Sequence, residues 1–123
     1  MAFTRIDHVA LDVADLARSV AFYERTFGFK TYNDYVTPTG LKIAYLKLGG
    51  TVLELVGHQD APMQGFHFCL HSDDFDGAVR DLQAAGVELV QAPHKTGARE
   101  AGEENWRRVV FCGPDGEHIE IRG

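Results

Sequence analysis

The sequence predicts an α+β fold made of two copies of a strand–helix–three-strand module. The first observation is the order of hydrophobic stretches, because a strand, a helix and three strands are indicated twice along 123 residues. The second is a match between the halves, in which Val9–Val13 before the first helix corresponds to Phe68–Ser72 before the second. We therefore expect one domain of two βαβββ repeats, at residues 3–57 and 65–123, with mostly antiparallel curved sheets and helices on one face.

The first module contains one helix with clear signals at both ends. Asp15 is a suitable N-cap for this helix, and Gly28 is suited to end it. Apolar side chains recur at helical spacing and are expected to face the sheet: Leu16, Val20, Tyr23 and Phe27. Apolar and aromatic runs bounded by turn residues predict strands at 3–13, 29–36, 41–48 and 51–56.

The second module repeats this order after a polar connector over residues 57–64. Asp73 and Asp74 open its helix, whose inward side chains are expected to be Phe75, Val79 and Leu82. Strands are predicted at 65–71, 87–90, 106–112 and 117–122. Residues 93–105 are expected to form a long polar loop between two of these strands.

The composition is ordinary for a globular protein and excludes several functions. The formal charge of -6, from 12 Lys+Arg and 18 Asp+Glu, disfavours a nucleic-acid partner. No apolar run approaches the roughly 20 residues of a membrane-spanning helix, and the first residues lack the apolar segment of a secretory signal. Cys69 and Cys112 have no spacing typical of a zinc finger or a disulfide framework. We therefore expect a cytoplasmic protein that acts on a small molecule.

One histidine and one glutamate of each module share the strand face expected to lie opposite the helix. His8 lies on the first strand and Glu54 on the last strand of one module, and His67 and Glu120 hold the same places in the other. An ionised carboxylate between apolar neighbours is costly to bury without a partner. A divalent cation would compensate both carboxylates, accept two neutral imidazoles and leave positions open for water or substrate.

A single histidine or glutamate in a strand is more often a solvated residue or one satisfied by a neighbour. The repetition of both residue types at matching places favours the metal site over that alternative. Two further histidines, His71 and His118, share the face of the proposed ligands and could be ligands or partners of ligands. His58 and His94 lie in predicted loops, where we expect them to be solvated.

Four more residues are candidates for contacts with substrate. Lys95 and Arg99 lie in the predicted long loop and could hold an anionic group, the alternative being a solvated surface loop. Trp106 and Tyr45 could line a cavity wall, although aromatic side chains in strands also serve plain packing. Cys69 is expected to be an inert thiol, because no neighbour in sequence would activate it.

Four motifs together resemble the vicinal oxygen chelate superfamily of glyoxalases, bleomycin-resistance proteins and extradiol dioxygenases. The first module contributes Ile6–Leu11, with the sequence IDHVAL, and Ser19–Glu24, with the sequence SVAFYE, before Gly28-Phe29. The second contributes the Gly113–Gly116 turn, GPDG, and the Ile119–Ile121 segment, IEI. The resemblance extends over both modules and implies a cupped sheet around a metal ion, with the helices on the outer face.

The resemblance also implies which residues bind the metal. His8, Glu54, His67 and Glu120 fall on the four ligand positions, and this set resembles that of glyoxalase I. Other members of the superfamily differ in their ligands. Methylmalonyl-CoA epimerases commonly have Gln at the position of Glu54, and dioxygenases and fosfomycin-resistance enzymes typically use two His and one Glu. Bleomycin-binding members lack the metal site. We expect one divalent ion per site, with Zn or Ni first and Co, Mn or Fe as alternatives.

A glyoxalase-type lyase or isomerase is the activity that this ligand set implies. Glu120 would move the proton between substrate carbons through a metal-stabilised enediolate, and Glu54 could serve on the other side of the substrate. Asp12 stands where glyoxalase I enzymes often carry an Arg for the carboxylate of glutathione, so the use of glutathione is left open. The alternatives are a CoA-thioester epimerase, a dioxygenase, a fosfomycin-type thiol transferase and a metal-free drug-binding module. The superfamily further implies a homodimer, with ligands drawn from one chain or from two.

Overall fold

Each half of the chain folds as a strand, a helix and three strands, which confirms the predicted order of elements. The computed structural model describes residues 6–58, 67–98 and 101–123. The first half contains β1 (Val9–Val13), α1 (Leu16–Phe27), β2 (Lys30–Val36), β3 (Lys42–Leu48) and β4 (Thr51–Gly57). The second contains β5 (His67–His71), α2 (Phe75–Ala84), β6 (Glu88–Lys95), β7 (Arg107–Cys112) and β8 (His118–Arg122).

The contacts of the chain divide it into two units, residues 1–63 and 64–123. Each unit has one four-stranded mixed sheet, in the order β1-β4-β3-β2 in the first and β5-β8-β7-β6 in the second. The first and last strands of each unit pair in parallel, and the other two pairings are antiparallel. The α+β class is therefore confirmed, while the assembly of both repeats into one domain stays a prediction.

Helix α1 begins and ends where the sequence predicts but buries a different face. The Asp15 carboxylate accepts a hydrogen bond from the backbone N–H of Arg18, and Gly28 closes the helix with a left-handed φ of 78°. Tyr23 is buried as predicted, but so is Phe22, which packs edge-on against Tyr23. The predicted inward positions 16, 20 and 27 are only half-buried. The helix is therefore rotated relative to the expected apolar stripe.

The core of each unit lies on the face of the sheet that carries alternate aliphatic side chains. In the first unit this face includes Leu53 and Leu55 of β4, and both are buried. In the second, Ile119 and Ile121 of β8 have the same role. Phe75 and Leu82 of α2 are buried as predicted, whereas Val79 is half-buried. The period of two along the strands therefore separates a core face from a polar face in both sheets.

Strand β6 is longer than predicted, and this corrects the extent of the following loop. It runs to Lys95 instead of ending at Val90, so the stretch expected to be a loop from residue 93 begins after Lys95. Proline usually interrupts a strand because it has no backbone N–H to donate. Pro93 is tolerated because β6 is the edge strand of its sheet, where one side of the strand has no partner strand. Register irregularities between Leu89 and His94 accommodate it. Strand β1 begins at Val9, later than predicted, because the described residues 6–8 lie outside the strand. The predicted start of β5 at residues 65 and 66 lies outside the described residues.

Within the described residues, neither helix has the length and apolar character needed to cross a membrane.

The N-cap of α1 can be tested by substitution of its carboxylate. We expect Asp15→Ala to lower the free energy of unfolding by about 1 kcal/mol, because the N–H of Arg18 loses its acceptor. Asp15→Asn is the matched control and should stay close to wild type, since Asn caps helices as well as Asp does. Denaturant unfolding followed by circular dichroism measures both, and equal losses in the two variants would contradict the capping role.

Candidate functional site

The two predicted His–Glu pairs occupy the same place in their respective sheets. In the first unit Glu54 lies opposite Ala10 on the parallel neighbour β1, and His8 precedes Ala10 by two residues. In the second unit Glu120 lies opposite Cys69 on β5, and His67 precedes Cys69 by two residues. Because side chains alternate along a strand, each histidine shares the polar face with its glutamate. We call His8 with Glu54 the first half-site and His67 with Glu120 the second half-site.

The first half-site is a close contact held on both sides. The Nε2 atom of His8 lies 3.0 Å from one oxygen of Glu54, whose side chain is only 13% exposed. The Nδ1 atom of His8 lies 3.0 Å from an oxygen of the Asp7 carboxylate, and since a carboxylate only accepts, the Nδ1–H group donates this hydrogen bond. The Tyr45 hydroxyl donates a long hydrogen bond, 3.4 Å, to the other Glu54 oxygen. Asp7 and Tyr45 thus orient the two members of the pair towards each other.

This geometry favours a proton or a metal ion between the imidazole and the carboxylate. The hydrogen bond to Asp7 requires the proton of a neutral His8 to be on Nδ1. The unprotonated Nε2 would then face the Glu54 oxygen, and the lone pairs of the two atoms would repel each other. A proton on Nε2 relieves this repulsion. The hydrogen bond to Asp7 is the largest cause that raises the His8 pKa, and the charges of Glu54 and Asp7 add to it, while desolvation lowers the pKa. A metal ion satisfies the same requirement.

The hydroxyl of Tyr45 belongs to this electrostatic environment. Its partial burial and the adjacent Glu54 carboxylate raise the pKa of Tyr45 above its ordinary value, so the phenol stays protonated as the donor. Its ring also meets His8 edge-on, with the ring centres 6.5 Å apart. The structure therefore brings Tyr45 into contact with both members of the first half-site, and its contact with substrate stays a prediction.

The second half-site is wider and holds a positive charge. His67 Nε2 lies 3.7 Å from one Glu120 oxygen, which is too far for a direct hydrogen bond. The other Glu120 oxygen accepts a hydrogen bond from Arg108 Nε at 3.1 Å, and the Glu120 side chain is 9% exposed. A cleft of about 350 Å³ opens at this point. It is lined by the side chains His67, Val90, Gln91, Arg108, Val110, His118 and Glu120.

Both half-sites fit two ligands of one divalent ion. Ligand atoms about 2.1 Å from a shared ion lie about 3.0 Å apart at a right angle and about 3.4 Å apart at a tetrahedral angle. The 3.0 Å of the first half-site matches this range, and the 3.7 Å of the second is slightly wider. In the described ranges no group of three or more His, Cys, Asp or Glu could hold a metal. Each half-site by itself brings together two candidate ligand atoms, a histidine nitrogen and a glutamate oxygen.

The structure does not place the other three predicted substrate contacts, Lys95, Arg99 and Trp106, beside a glutamate of the half-sites as it does Tyr45. Lys95 pairs across β6 and β7 with Arg107, which binds Asp76 of α2, so Lys95 lies on the helix face and away from Glu120. Trp106 stacks on His71, with ring centres 5.0 Å apart. Arg99 lies outside the described residues. The structure therefore does not bring Lys95 to the second half-site, because the strand continues where a loop was expected.

Sequence reasoning missed the residues that hold the second half-site in place. Arg108 reaches Glu120 and also donates to the Gln91 side chain at 2.9 Å. His94 was expected to be solvated in a loop, and this was wrong, because it is half-buried in β6 with Nε2 3.4 Å from Arg108. Alternation along β7 puts Arg108 and Val110 on one face, but only the register of the structure sets Val110 opposite Glu120.

Comparison with known proteins gives matches along nearly the whole chain. A family model described as the Glyoxalase/Bleomycin resistance protein/Dioxygenase superfamily matches residues 5–121. The solved structure of a glyoxalase family protein from Enterococcus faecalis superposes with a TM-score of 0.84 at 21% identity, covering 100% of both chains. At this identity the superposition shows a shared fold alone.

Curated relatives of the chain include proteins with the names of enzymes. The chain is 30% identical to the methylmalonyl-CoA epimerase, mitochondrial, of Homo sapiens, in a match that covers 89% of the chain and 66% of the relative, slightly under two thirds of its length. It is 28% identical to the metallothiol transferase FosB of Lysinibacillus sphaericus, covering 98% of the chain and 83% of the relative.

The role of Asp7 can be tested through the titration of His8. We expect Asp7→Asn to lower the His8 pKa, because the hydrogen bond to Asp7 is the largest cause of its rise. NMR titration of the imidazole proton signals measures this, with the His8 signal assigned by its loss in His8→Gln. Asp12→Asn changes an exposed carboxylate further along β1 and should leave the titration unchanged. An unshifted His8 in Asp7→Asn would refute the orienting role.

Proposed function

The chain belongs to the Glyoxalase/Bleomycin resistance protein/Dioxygenase superfamily, which confirms the family inferred from its motifs, and we propose that it is a divalent-metal-dependent isomerase. Its reaction would move a proton on the carbon beside a substrate carbonyl, as in the epimerisation of an acyl-CoA thioester. The observation that carries this proposal is the recurrence of a His–Glu pair at the same register position of both sheets. The human epimerase relative supplies the substrate class.

The proposed metal ligands are His8 and Glu54 of the first half-site and His67 and Glu120 of the second. The two half-sites would come from one chain or from two copies in a homodimer. Zn and Ni remain our first expectation for the metal, with Co, Mn or Fe as alternatives, because two imidazoles and two carboxylates suit all of them. When bound, such an ion supplies Lewis acidity that polarises the carbonyl of the substrate.

Proton transfer would be the task of the two carboxylates. Epimerisation removes a proton from one side of a carbon and returns a proton to the other side, so it requires an acceptor and a donor. Glu120 is our proposed base and Glu54 its counterpart. Each carboxylate has one oxygen held by a neighbouring side chain, Arg108 or Tyr45, and its other oxygen turned towards the histidine. This fixes the carboxylates in position before the substrate arrives.

An acyl-CoA substrate is favoured over a glutathione adduct. The glyoxalase I activity that the ligand set implies, that of a lactoylglutathione lyase, would use the same proton transfer. Asp12 lies on the polar face of β1 with Ala10, opposite Val56, and is exposed. A carboxylate at that place repels the carboxylates of glutathione. The human relative supports an acyl-CoA thioester instead.

A metal-dependent thiol transferase is the second candidate. It is favoured by the match to the metallothiol transferase of Lysinibacillus sphaericus, because the chain covers 83% of that protein. The two candidates differ in stoichiometry, since a transferase consumes one thiol for each product molecule and an isomerase consumes none.

Metal content is the first measurement. Plasma mass spectrometry of the purified protein should find about one divalent ion per complete site, lost in His8→Ala and in His67→Ala, since each change removes one imidazole ligand. Asp81→Asn, an exposed change on α2, is the control and should retain the metal. Absence of metal after incubation with Ni or Zn would refute the metal site.

The reaction can be followed by exchange of the α-proton of an acyl-CoA thioester in D₂O. We expect exchange with wild-type protein and, for the stereoisomer whose α-proton faces Glu120, a loss of at least about 100-fold in Glu120→Gln, which keeps part of the metal but loses that base. Glu54→Gln tests the opposite carboxylate, and Asp81→Asn again serves as control. Thiol consumption with a phosphonate epoxide, without α-proton exchange, would decide for the transferase. Full exchange in Glu120→Gln would show that another residue is the base.

A further inference from the structure

We propose that Arg108 is the positioning residue of Glu120, and that Gln91 and His94 hold its guanidinium in place for this purpose. The inference rests on the proposed metal site, and it assigns a role to residues outside the four proposed ligands. Arg108 would fix the Glu120 carboxylate through one oxygen, so that the other oxygen is presented alone to a metal ion beside His67.

The contacts of Arg108 have the geometry that this role requires. Its Nε donates to one Glu120 oxygen at 3.1 Å, while the other oxygen is the one nearest to His67 Nε2. Its Nη1 donates to the Gln91 side-chain oxygen at 2.9 Å. Because the guanidinium is planar, contacts at Nε and Nη1 fix its orientation as well as its distance from Glu120.

His94 completes the support, and its contacts define its protonation. Arginine can only donate, so His94 Nε2, 3.4 Å from Arg108 Nη1, must be the unprotonated acceptor. The proton then resides on His94 Nδ1, which donates to the carbonyl oxygen of Ala92 at 2.9 Å. Both anchors of Arg108 come from β6, the edge strand that was expected to end before them. The full length of β6 is therefore part of the support.

In the first unit a different residue donates a hydrogen bond to the glutamate. There the residue directly opposite the glutamate is Tyr45, which donates to Glu54, whereas the residue opposite Glu120 is Val110, which has no donor. The position that corresponds to Arg108 in the first unit is Ile43, which is buried and apolar. Each sheet thus provides one donor to its glutamate, at alternative places on the same face. This complementarity indicates a positioning role for Arg108.

A guanidinium beside a metal ligand has two opposite effects on metal affinity. Its positive charge repels a divalent ion, so removal of that charge alone would tighten binding. Its hydrogen bond orients the ligand, and loss of such outer contacts costs about 10- to 100-fold in metal affinity. Orientation dominates over charge at Arg108, so a variant that keeps the positive charge and a variant that removes it should both weaken metal binding.

The test measures Ni(II) affinity by competition with a chromophoric chelator, together with the visible absorption spectrum of the Co(II) form. Arg108→Lys keeps the positive charge but loses the planar guanidinium with its several N–H donors, and Arg108→Met loses both the charge and the donors. Arg107→Lys and Arg107→Met are matched controls, because Arg107 is the next residue on β7, faces α2 and contacts neither member of the half-site in any described bond. Gln91→Leu, at an exposed edge position, removes one anchor and guards against misfolding of the Arg108 variants.

We expect both Arg108 variants to bind Ni(II) about 10- to 100-fold more weakly and to alter the Co(II) spectrum, with a smaller loss in Gln91→Leu and no change in the Arg107 controls. Unchanged or tighter binding by Arg108→Met would overturn the proposal while leaving the metal site intact. Lower thermal stability with unchanged affinity and spectrum would also overturn it, as a merely structural role. Failure of the wild type to bind metal would refute the proposed function itself, and the Arg108 proposal with it.

Discussion

Glu54 and Glu120 stand in the interior of four-stranded sheets, between aliphatic neighbours that are themselves buried. A carboxylate at such a position loses most of its hydration, and the loss must be compensated by donors or by a cation. Each sheet supplies compensation from both adjacent strands: an imidazole from the parallel first strand and a hydrogen-bond donor from the antiparallel third. The strand order, the register and the identity of the flanking residues all serve this one requirement.

The parallel pairing of first and last strands is what assembles each half-site. His8 and Glu54 are far apart in sequence, and only the β1-β4 pairing places them side by side. The same pairing of β5 with β8 unites His67 and Glu120. The intervening helix is the crossover that such a connection requires, and it covers the face opposite the polar side chains. A repeated topology thereby repeats the chemistry.

The two half-sites occupy the same register position in their sheets but differ in charge. In the first, Glu54 is held by the neutral phenol of Tyr45, and Asp7 adds a further negative charge next to His8. In the second, the positive guanidinium of Arg108 offsets the charge of Glu120. Under the proposed function, the first half-site supplies the stronger attraction for a divalent ion, and the second supplies a more fixed carboxylate.

The sequence by itself determined the element order, the caps of the helices and the four residues of the half-sites. These follow from local rules: apolar periodicity, end signals such as Asp15 and Gly28, and strict alternation along strands that places Glu54 and Glu120 opposite the core. Only the tertiary structure decided which neighbours hold those residues. Arg108, Gln91 and His94 come from two adjacent strands, and their meeting depends on register and on the edge position that lets β6 continue through Pro93. Such contacts are set by pairing between distant segments, which no local pattern encodes.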